Sequence, residues 1–340
     1  MSEQKIILSS KPQINISCPS TARMWLVCGC AFLCVLQSSF GDGGKSFVVA
    51  LAALSSALLI EFLLTWRTYG FGKVRDGSAA ATAMILAILL PNLIHPLYAA
   101  FGAAFAVTVV KYSFGGLGSN WLNPAIGGWL FIRFSWPAAF TQALESSSSS
   151  ISEMPIVSAS AFDSSATDFL NNSVFSITGA QLPSGYIDLL FNNNPGIITD
   201  RGLFSLLIGT ICITASGINR GWIPLVFLAV YGFLIRFAGD LSGIFWNGDL
   251  LYGIFSGGTV AAAFILAAEP ASGAKLKLGI IFAVFSGAVL SWFLRYRCME
   301  YTGCFIALAL VNCFTPLIRF VEEKIFISRN NNGGFQENLL

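Results

Sequence analysis

Long apolar runs recur along the chain, separated by short polar or glycine-containing stretches. A helix that crosses the hydrocarbon core of a bilayer needs about 20 mostly apolar residues, within a range of about 17–25. Runs of this kind lie near residues 22–39, 46–66, 77–93, 96–113 and 123–138, then 201–217, 221–238, 248–268, 276–295 and 301–320. The pattern predicts an all-α integral membrane protein of about ten transmembrane helices. The expected layout is an N-terminal segment 1–21, a first five-helix half 22–138, a loop 139–200, a second five-helix half 201–320 and a tail 321–340.

Composition points the same way. Hydrophobic residues make up 55% of the chain and charged residues 11%, and mean hydropathy is +0.72; a soluble domain carries roughly 25% charged residues. No basic tract suggests nucleic acid. Met1 to Ser20 lacks the features of a signal peptide, so the apolar run Ala22 to Gln37 is expected to be a retained helix. The eight Cys residues lie mostly in apolar segments, which suits buried small side chains better than disulfides.

Charge then sets the orientation. From Phe134 to Asp200 there is no Lys or Arg, while Glu145, Glu153, Asp163, Asp168, Asp188 and Asp200 all fall there. With the N-terminus inside, thirteen basic residues fall on inner segments (Lys5, Lys11, Arg23, Arg67, Lys73, Arg75, Lys111, Arg220, Lys275, Lys277, Arg319, Lys324 and Arg329). Six remain at outer ends or within helices: Lys45, Arg133, Arg201, Arg236, Arg295 and Arg297. This bias predicts cytoplasmic termini and an outer position for the long loop.

A weak internal repeat is visible. Gly77-Ser78 opens a small-residue helix that runs to Pro91, and Gly257-Gly258-Thr259 opens a similar one that runs to Pro270. Phe105-Ala106-Val107 precedes Lys111-Tyr112, as Phe282-Ala283-Val284 precedes Arg295-Tyr296. Five spans per half would orient the halves oppositely, as in many transporter-like folds. The glycine-rich stretch 114–120 cannot be a continuous helix; it reads as a broken helix lining a site or as a cytoplasmic turn. Asp76, Asp249 and Glu269 border small-residue helices and are candidates for cation coordination or a proton relay, or else lie in wet loops. His95 reads as a solvated loop residue. Cys28, Cys30 and Cys34 share one helix, which cannot supply the four ligands of an iron–sulfur cluster. By composition alone, Ser146–Ser150 and Ser164–Thr167 read as a serine-rich loop.

In order along the chain stand Arg75-Asp76-Gly77-Ser78, Phe114-Gly115-Gly116-Leu117-Gly118 with Asn123-Pro124-Ala125, Asn247-Gly248-Asp249-Leu250-Leu251, Ser256-Gly257-Gly258 and Ala268-Glu269-Pro270. Together they resemble the RnfD/NqrB family, one of the membrane-subunit families of the Rnf electron transport complex and of the sodium-translocating NADH:quinone oxidoreductase. The resemblance implies a fold similar to that of urea transporters. It implies a subunit that relays electrons within a complex coupling ferredoxin and NAD to Na+ or H+ translocation. It also implies FMN joined by a phosphoester to a threonine in the outer loop; some members add a noncovalent flavin such as riboflavin.

The matching stretch is Ser164-Ser165-Ala166-Thr167, which marks Thr167 as the flavin-bearing residue, with Ser164 and Ala166 completing its motif. Ser165 replaces the usual glycine, Ala161 stands where an aspartate is usual, and Glu269 replaces an aspartate. Arg236 and Arg295, at outer ends of spans, are candidates for a flavin phosphate, because guanidinium matches phosphate geometry; an anchoring role at the membrane interface is the alternative. The implied partners are other Rnf-type subunits, one of them an extracytoplasmic flavin protein, and a flavin transferase. The chain has no nucleophile triad, zinc pattern or nucleotide fold of its own. Two other readings stay open: a solute channel or transporter, and a scaffold without flavin.

Overall fold

The computed structural model describes residues 20–69, 74–116, 120–145, 160–173, 185–191, 196–238 and 249–331. Ser146–Ser150, Leu117-Gly118, Asn247-Gly248, Cys18 and most of the N-terminal segment lie outside the described residues.

Every described element is helical apart from one isolated bridge between Pro91 and Ile197. The first half comprises α1 (Ser20–Gly41), α2 (Lys45–Tyr69), α3 (Ser78–Leu89), α4 (Pro96–Phe105, continued as π-helical turns over Ala106–Tyr112) and α5 (Pro124–Ser135). Four helices of the loop region follow: α6 (Pro137–Glu145), α7 (Ala161–Ser173), α8 (Tyr186–Leu190) and α9 (Ile198–Arg201). The second half holds α10 (Leu203–Ala215), α11 (Trp222–Ala238), α12 (Leu250–Phe255), α13 (Thr259–Ala261, continued as π-helical turns over Ala262–Leu266), α14 (Lys277–Tyr296) and α15 (Gly303–Asn331).

Among the described residues, four helices are long and apolar enough to cross a membrane: Thr21–Gly41, Lys45–Arg67, Lys277–Tyr296 and Gly303–Ile325. Shorter apolar helices cover Ser78–Leu89, Pro96–Tyr112, Leu203–Ala215 and Trp222–Ala238. The protein is therefore a multi-pass membrane protein, but its helices are not ten uninterrupted spans. The expected span 248–268 is two pieces, α12 and α13, separated by Ser256-Gly257-Gly258. The expected span 77–93 is the 12-residue α3, about 18 Å long, which is too short to cross alone. The expected span 123–138 ends at Ser135, because Pro137 starts α6 on a new axis.

The breaks depend on glycine. Gly77 and Gly258 each precede a half-helix in the left-handed region, both at φ 71, a conformation that other residues adopt at a cost. A Cβ at Gly258 would also collide with the Phe305 ring. The backbone groups freed at the second break are met by two buried charges. Asp200 accepts from the N–H groups of Gly257 at 3.0 Å and Gly258 at 2.9 Å, and from the Tyr301 hydroxyl at 2.8 Å. Arg295 donates to the carbonyls of Ser256 at 2.7 Å and Gly253 at 3.2 Å, and to Ser256 Oγ at 2.6 Å. Its guanidinium lies over the rings of Tyr252, Tyr296 and Tyr301 at 5.9, 5.6 and 5.4 Å. The end of α3 is tied to the same region, with Ile198 N–H on the Leu90 carbonyl at 2.9 Å and the Thr199 hydroxyl on the Ile88 carbonyl at 2.6 Å.

The packing joins the halves. α1 packs on α3 and α10, α2 on α3 and α4, α11 on α14, and α14 on α15, with α5 reaching α15. Removing one partner of a buried charged set typically costs about 3–5 kcal/mol. Arg295→Leu is therefore expected to lower the melting temperature of the detergent-purified chain sharply and reduce its yield. Arg297→Leu, at an exposed position one residue beyond α14, should stay within about 0.5 kcal/mol of the parent. Equal melting of the two variants would contradict this account of the break.

Candidate functional site

The residues singled out by sequence divide between the two ends of the bundle. At one end, α1 finishes beside the loop helices: Gln37 donates to the Leu190 carbonyl at 2.9 Å and accepts from Ser205 N–H at 2.7 Å. α8 is also held to the second half, since the Tyr186 hydroxyl donates to Asp249 Oδ2 at 2.6 Å. Burial and the Asp249 carboxylate push the Tyr186 phenol well above its ordinary pKa. Asp249 in turn accepts from Tyr252 N–H at 3.0 Å and so caps the N-terminus of α12.

α7 rides on α8 through a reciprocal pair of caps. Asp163 accepts from the N–H groups of Gly185 at 2.6 Å, Ile187 at 2.9 Å and Asp188 at 3.0 Å. Asp188 accepts from the N–H and hydroxyl of Ser160 at 2.8 and 2.6 Å. Each helix thus supplies an aspartate to the other's N-terminal end, where negative charge is favourable. Thr167 stands four residues after Asp163 and so on the same helical face. It is 4% exposed, and its Oγ1 is buried without a hydrogen-bond partner among the described residues. A buried hydroxyl left unbonded is uncommon. Ser164 and Ser165 are exposed, and Ala166 is half-buried. Arg236 is exposed in the last turn of α11.

The Arg295 guanidinium is fully buried, and its terminal N–H groups bond the broken-helix turn. Asp249 is set apart from Asp76 and Glu269. Asp76 ends a short 3-10 turn before α3, Asp249 caps α12 at the loop end, and Glu269 lies at the opposite end.

That opposite end holds a cavity of about 260 Å³ between the halves. Its polar lining includes Arg23, Ser78, Lys111, Asn120, Asn123 and Glu269, and Ile85, Ile213 and Ile265 contribute apolar wall. Glu269 Oε2 accepts from Asn123 Nδ2 at 2.7 Å and from the Ser272 hydroxyl at 2.9 Å. Asn123 Oδ1 meanwhile caps α5, accepting from Ala125 N–H at 2.8 Å. Asn120 Oδ1 is buried without a partner among the described residues.

Lys111 and Glu61 were missed as site residues. Lys111, counted above as a basic residue of an inner segment, is 1% exposed; its Nζ donates to Glu61 Oε1 at 2.6 Å and to the Ser78 hydroxyl at 2.7 Å. The Tyr112 hydroxyl adds a bond to the same Glu61 oxygen at 3.1 Å. The readable signal was Glu61, an acid inside the apolar run of α2. His95 is exposed and caps α4, accepting from Leu97 N–H at 3.3 Å. The seven described cysteines are free, and no cluster of metal-ligating side chains occurs among the described residues.

Broken half-helices, buried charges at the breaks, a polar helix of the loop region and a polar cavity at the opposite end define a membrane protein. The sequence matches the NQR2, RnfD, RnfE family over residues 7–327, and the chain belongs to that family. Among its relatives are D subunits of ion-translocating oxidoreductase complexes. It is 27% identical to that of the proton-translocating ferredoxin:NAD(+) oxidoreductase complex of Clostridium ljungdahlii, over 95% of this chain and 96% of that protein. It is 26% identical to that of the Na(+)-translocating ferredoxin:NAD(+) oxidoreductase complex of Acetobacterium woodii, over 96% of each. It is 28% identical to that of the ion-translocating oxidoreductase complex of Alcanivorax borkumensis, over 89% of this chain and 90% of that protein.

Lys111→Met should cost about 3–5 kcal/mol, because it strands the Glu61 carboxylate. The double variant Lys111→Met with Glu61→Leu should recover most of that loss in a thermal-melt double-mutant cycle. Additive losses would mean that the two side chains are not a coupled pair.

Proposed function

We propose that this chain is the membrane subunit of an Rnf-type complex that couples electron transfer between ferredoxin and NAD to Na+ or H+ translocation. It carries electrons through FMN joined by a phosphoester to Thr167. The carrying observation is the buried, unbonded Thr167 hydroxyl, on a helix capped onto α8, which is itself bonded to both halves, in a chain of this family. FMN supplies one-electron chemistry when bound, with a ring that a phosphate linkage leaves chemically untouched. The chain's own residues hold and orient it. Thr167 gives the oxygen, the exposed Ser164 and Ser165 lie within a turn of it on α7, and Arg236 is the cation assigned to its phosphate. Its electron partner in this reading is another subunit, outside the membrane and flavin-bearing. Ferredoxin and NAD are handled by further subunits.

The noncovalent flavin implied by the resemblance is assigned to the polar cavity. Its volume of about 260 Å³ is close to the lower end of ordinary ligand pockets, roughly 300 Å³. Asn120 Oδ1 lacks a donor there, and a flavin ring N–H would supply one. The proposed membrane arrangement is two inverted five-helix halves, about ten crossings when paired half-helices are counted together, with both termini in the cytoplasm of a bacterial inner membrane. The repeated device supports it: a left-handed glycine before a half-helix, Gly77 or Gly258, with a buried cation at the break, Lys111 or Arg295.

Coexpression with a flavin transferase should give a denatured band that fluoresces under blue light in the parent and is dark in Thr167→Ala. A dark parent band, with the transferase active on another substrate, would overturn the attachment. Asn120→Leu should keep the covalent fluorescence and lose at least tenfold of any flavin released by acid precipitation. Unchanged release would remove the noncovalent flavin from the cavity.

A further inference from the structure

Thr167 is turned the wrong way for a modifying enzyme. Its Oγ1 is buried on the α7 face that Asp163 turns to α8, whereas Ser164 and Ser165 on the same helix are exposed. An enzyme that carried FAD to the docked helix would meet the serines and not the threonine. That oxygen is already enclosed, so a phosphate on it requires its surroundings to part. A phosphodiester there would also bring negative charge within a helical turn of Asp163, on a stretch from Phe134 to Asp200 that has no Lys or Arg of its own.

The parts differ in how they are held. α8 is fixed to α1 through Gln37 and to α12 through Tyr186 and Asp249. The N-terminal end of α7 is tied to α8 by the Asp163 caps and the Ser160–Asp188 pair. Phe162 adds an edge contact to Phe191, with ring centroids 5.9 Å apart. α8 is thus a platform and α7 a separable strap.

We infer that the Asp163–Asp188 double cap is a latch, and that α7 must release from α8 before Thr167 can be modified. This rests on the flavin reading above. In the released strap the Thr167 oxygen attacks the flavin-bearing phosphorus of FAD. The Oγ–P bond forms as the pyrophosphate P–O bond breaks, AMP leaves, and the hydroxyl proton passes to the transferase or to water. The attached phosphate then keeps α7 from returning to the same docked pose, so modification is self-limiting and leaves a strap that is free to present its flavin outward.

The test uses the full chain in detergent with two latch variants, Asp188→Ala and Ser160→Ala, neither of which touches Thr167. Losing charge-assisted hydrogen bonds should raise the open population about tenfold or more. One readout needs no flavin: Thr167→Cys is treated with a maleimide and labelling is followed on the peptide by mass spectrometry. Labelling should be slow with the latch intact and at least tenfold faster when Asp188→Ala or Ser160→Ala is added. The second readout is the initial rate of flavin incorporation from FAD and purified transferase, which should rise by a similar factor in the same latch variants. Equal labelling rates, or flavin incorporation indifferent to the latch, would overturn the inference. Gated labelling with no flavin taken up by any variant would keep the latch and overturn the flavin reading instead.

Discussion

A helix that stops inside a bilayer leaves N–H and C=O groups that lipid cannot satisfy, at several kcal/mol for each. The fold depends on meeting that constraint at Ser256-Gly257-Gly258. Asp200 takes the N–H groups and Arg295 takes the carbonyls, so a carboxylate and a guanidinium from distant parts of the chain are committed to a turn of three residues. Because Asp200 lies in α9, at the end of the long loop, the same contact fixes where that loop rejoins the bundle. The loop helices, α10 and the end of α3 are all referred to it. The first break has a related solution, with Lys111 on the Ser78 hydroxyl and Glu61 balancing the charge.

This arrangement bears on the competing reading as a solute transporter. Transporters with broken helices use the freed backbone groups to bind substrate and ions. Here the groups at the second break are committed to the chain's own side chains, and those side chains are buried. A rigid, internally satisfied break suits a frame that holds redox groups at fixed positions. Polar sites lie instead on the Thr167 helix at one end and in the cavity of Asn120, Asn123 and Glu269 at the other. Two sites at opposite ends of the bundle are what the proposed relay between carriers requires.

The apolar runs were legible because lipid imposes them residue by residue, and the ends of α1, α2 and α14 fall close to where the pattern predicts. The breaks were legible only as glycines. Ser256-Gly257-Gly258 stood out as a motif, yet residues 248–268 read as one span because both sides of the break are equally apolar. What makes it a break is Asp200 and Arg295, which hydropathy cannot connect to it. Lys111 was counted as an inner charge for the same reason: its partner Glu61 lies 50 positions away. α7 was hidden for a different reason. Its Ser, Asp and Asn residues compete with the backbone for hydrogen bonds and read as loop, and its helix is fixed by the cap exchange with α8. The sequence located Thr167 through a motif, but its inward orientation follows from Asp163 and was not visible there.

The measurement closest to the central claim is the mass of the proteolytic peptide that contains Thr167, taken from the chain purified with its partner subunits. The account predicts a mass raised by FMN less one water, with fragmentation assigning the increment to Thr167. An unmodified Thr167 peptide from an active, flavin-containing complex would contradict it.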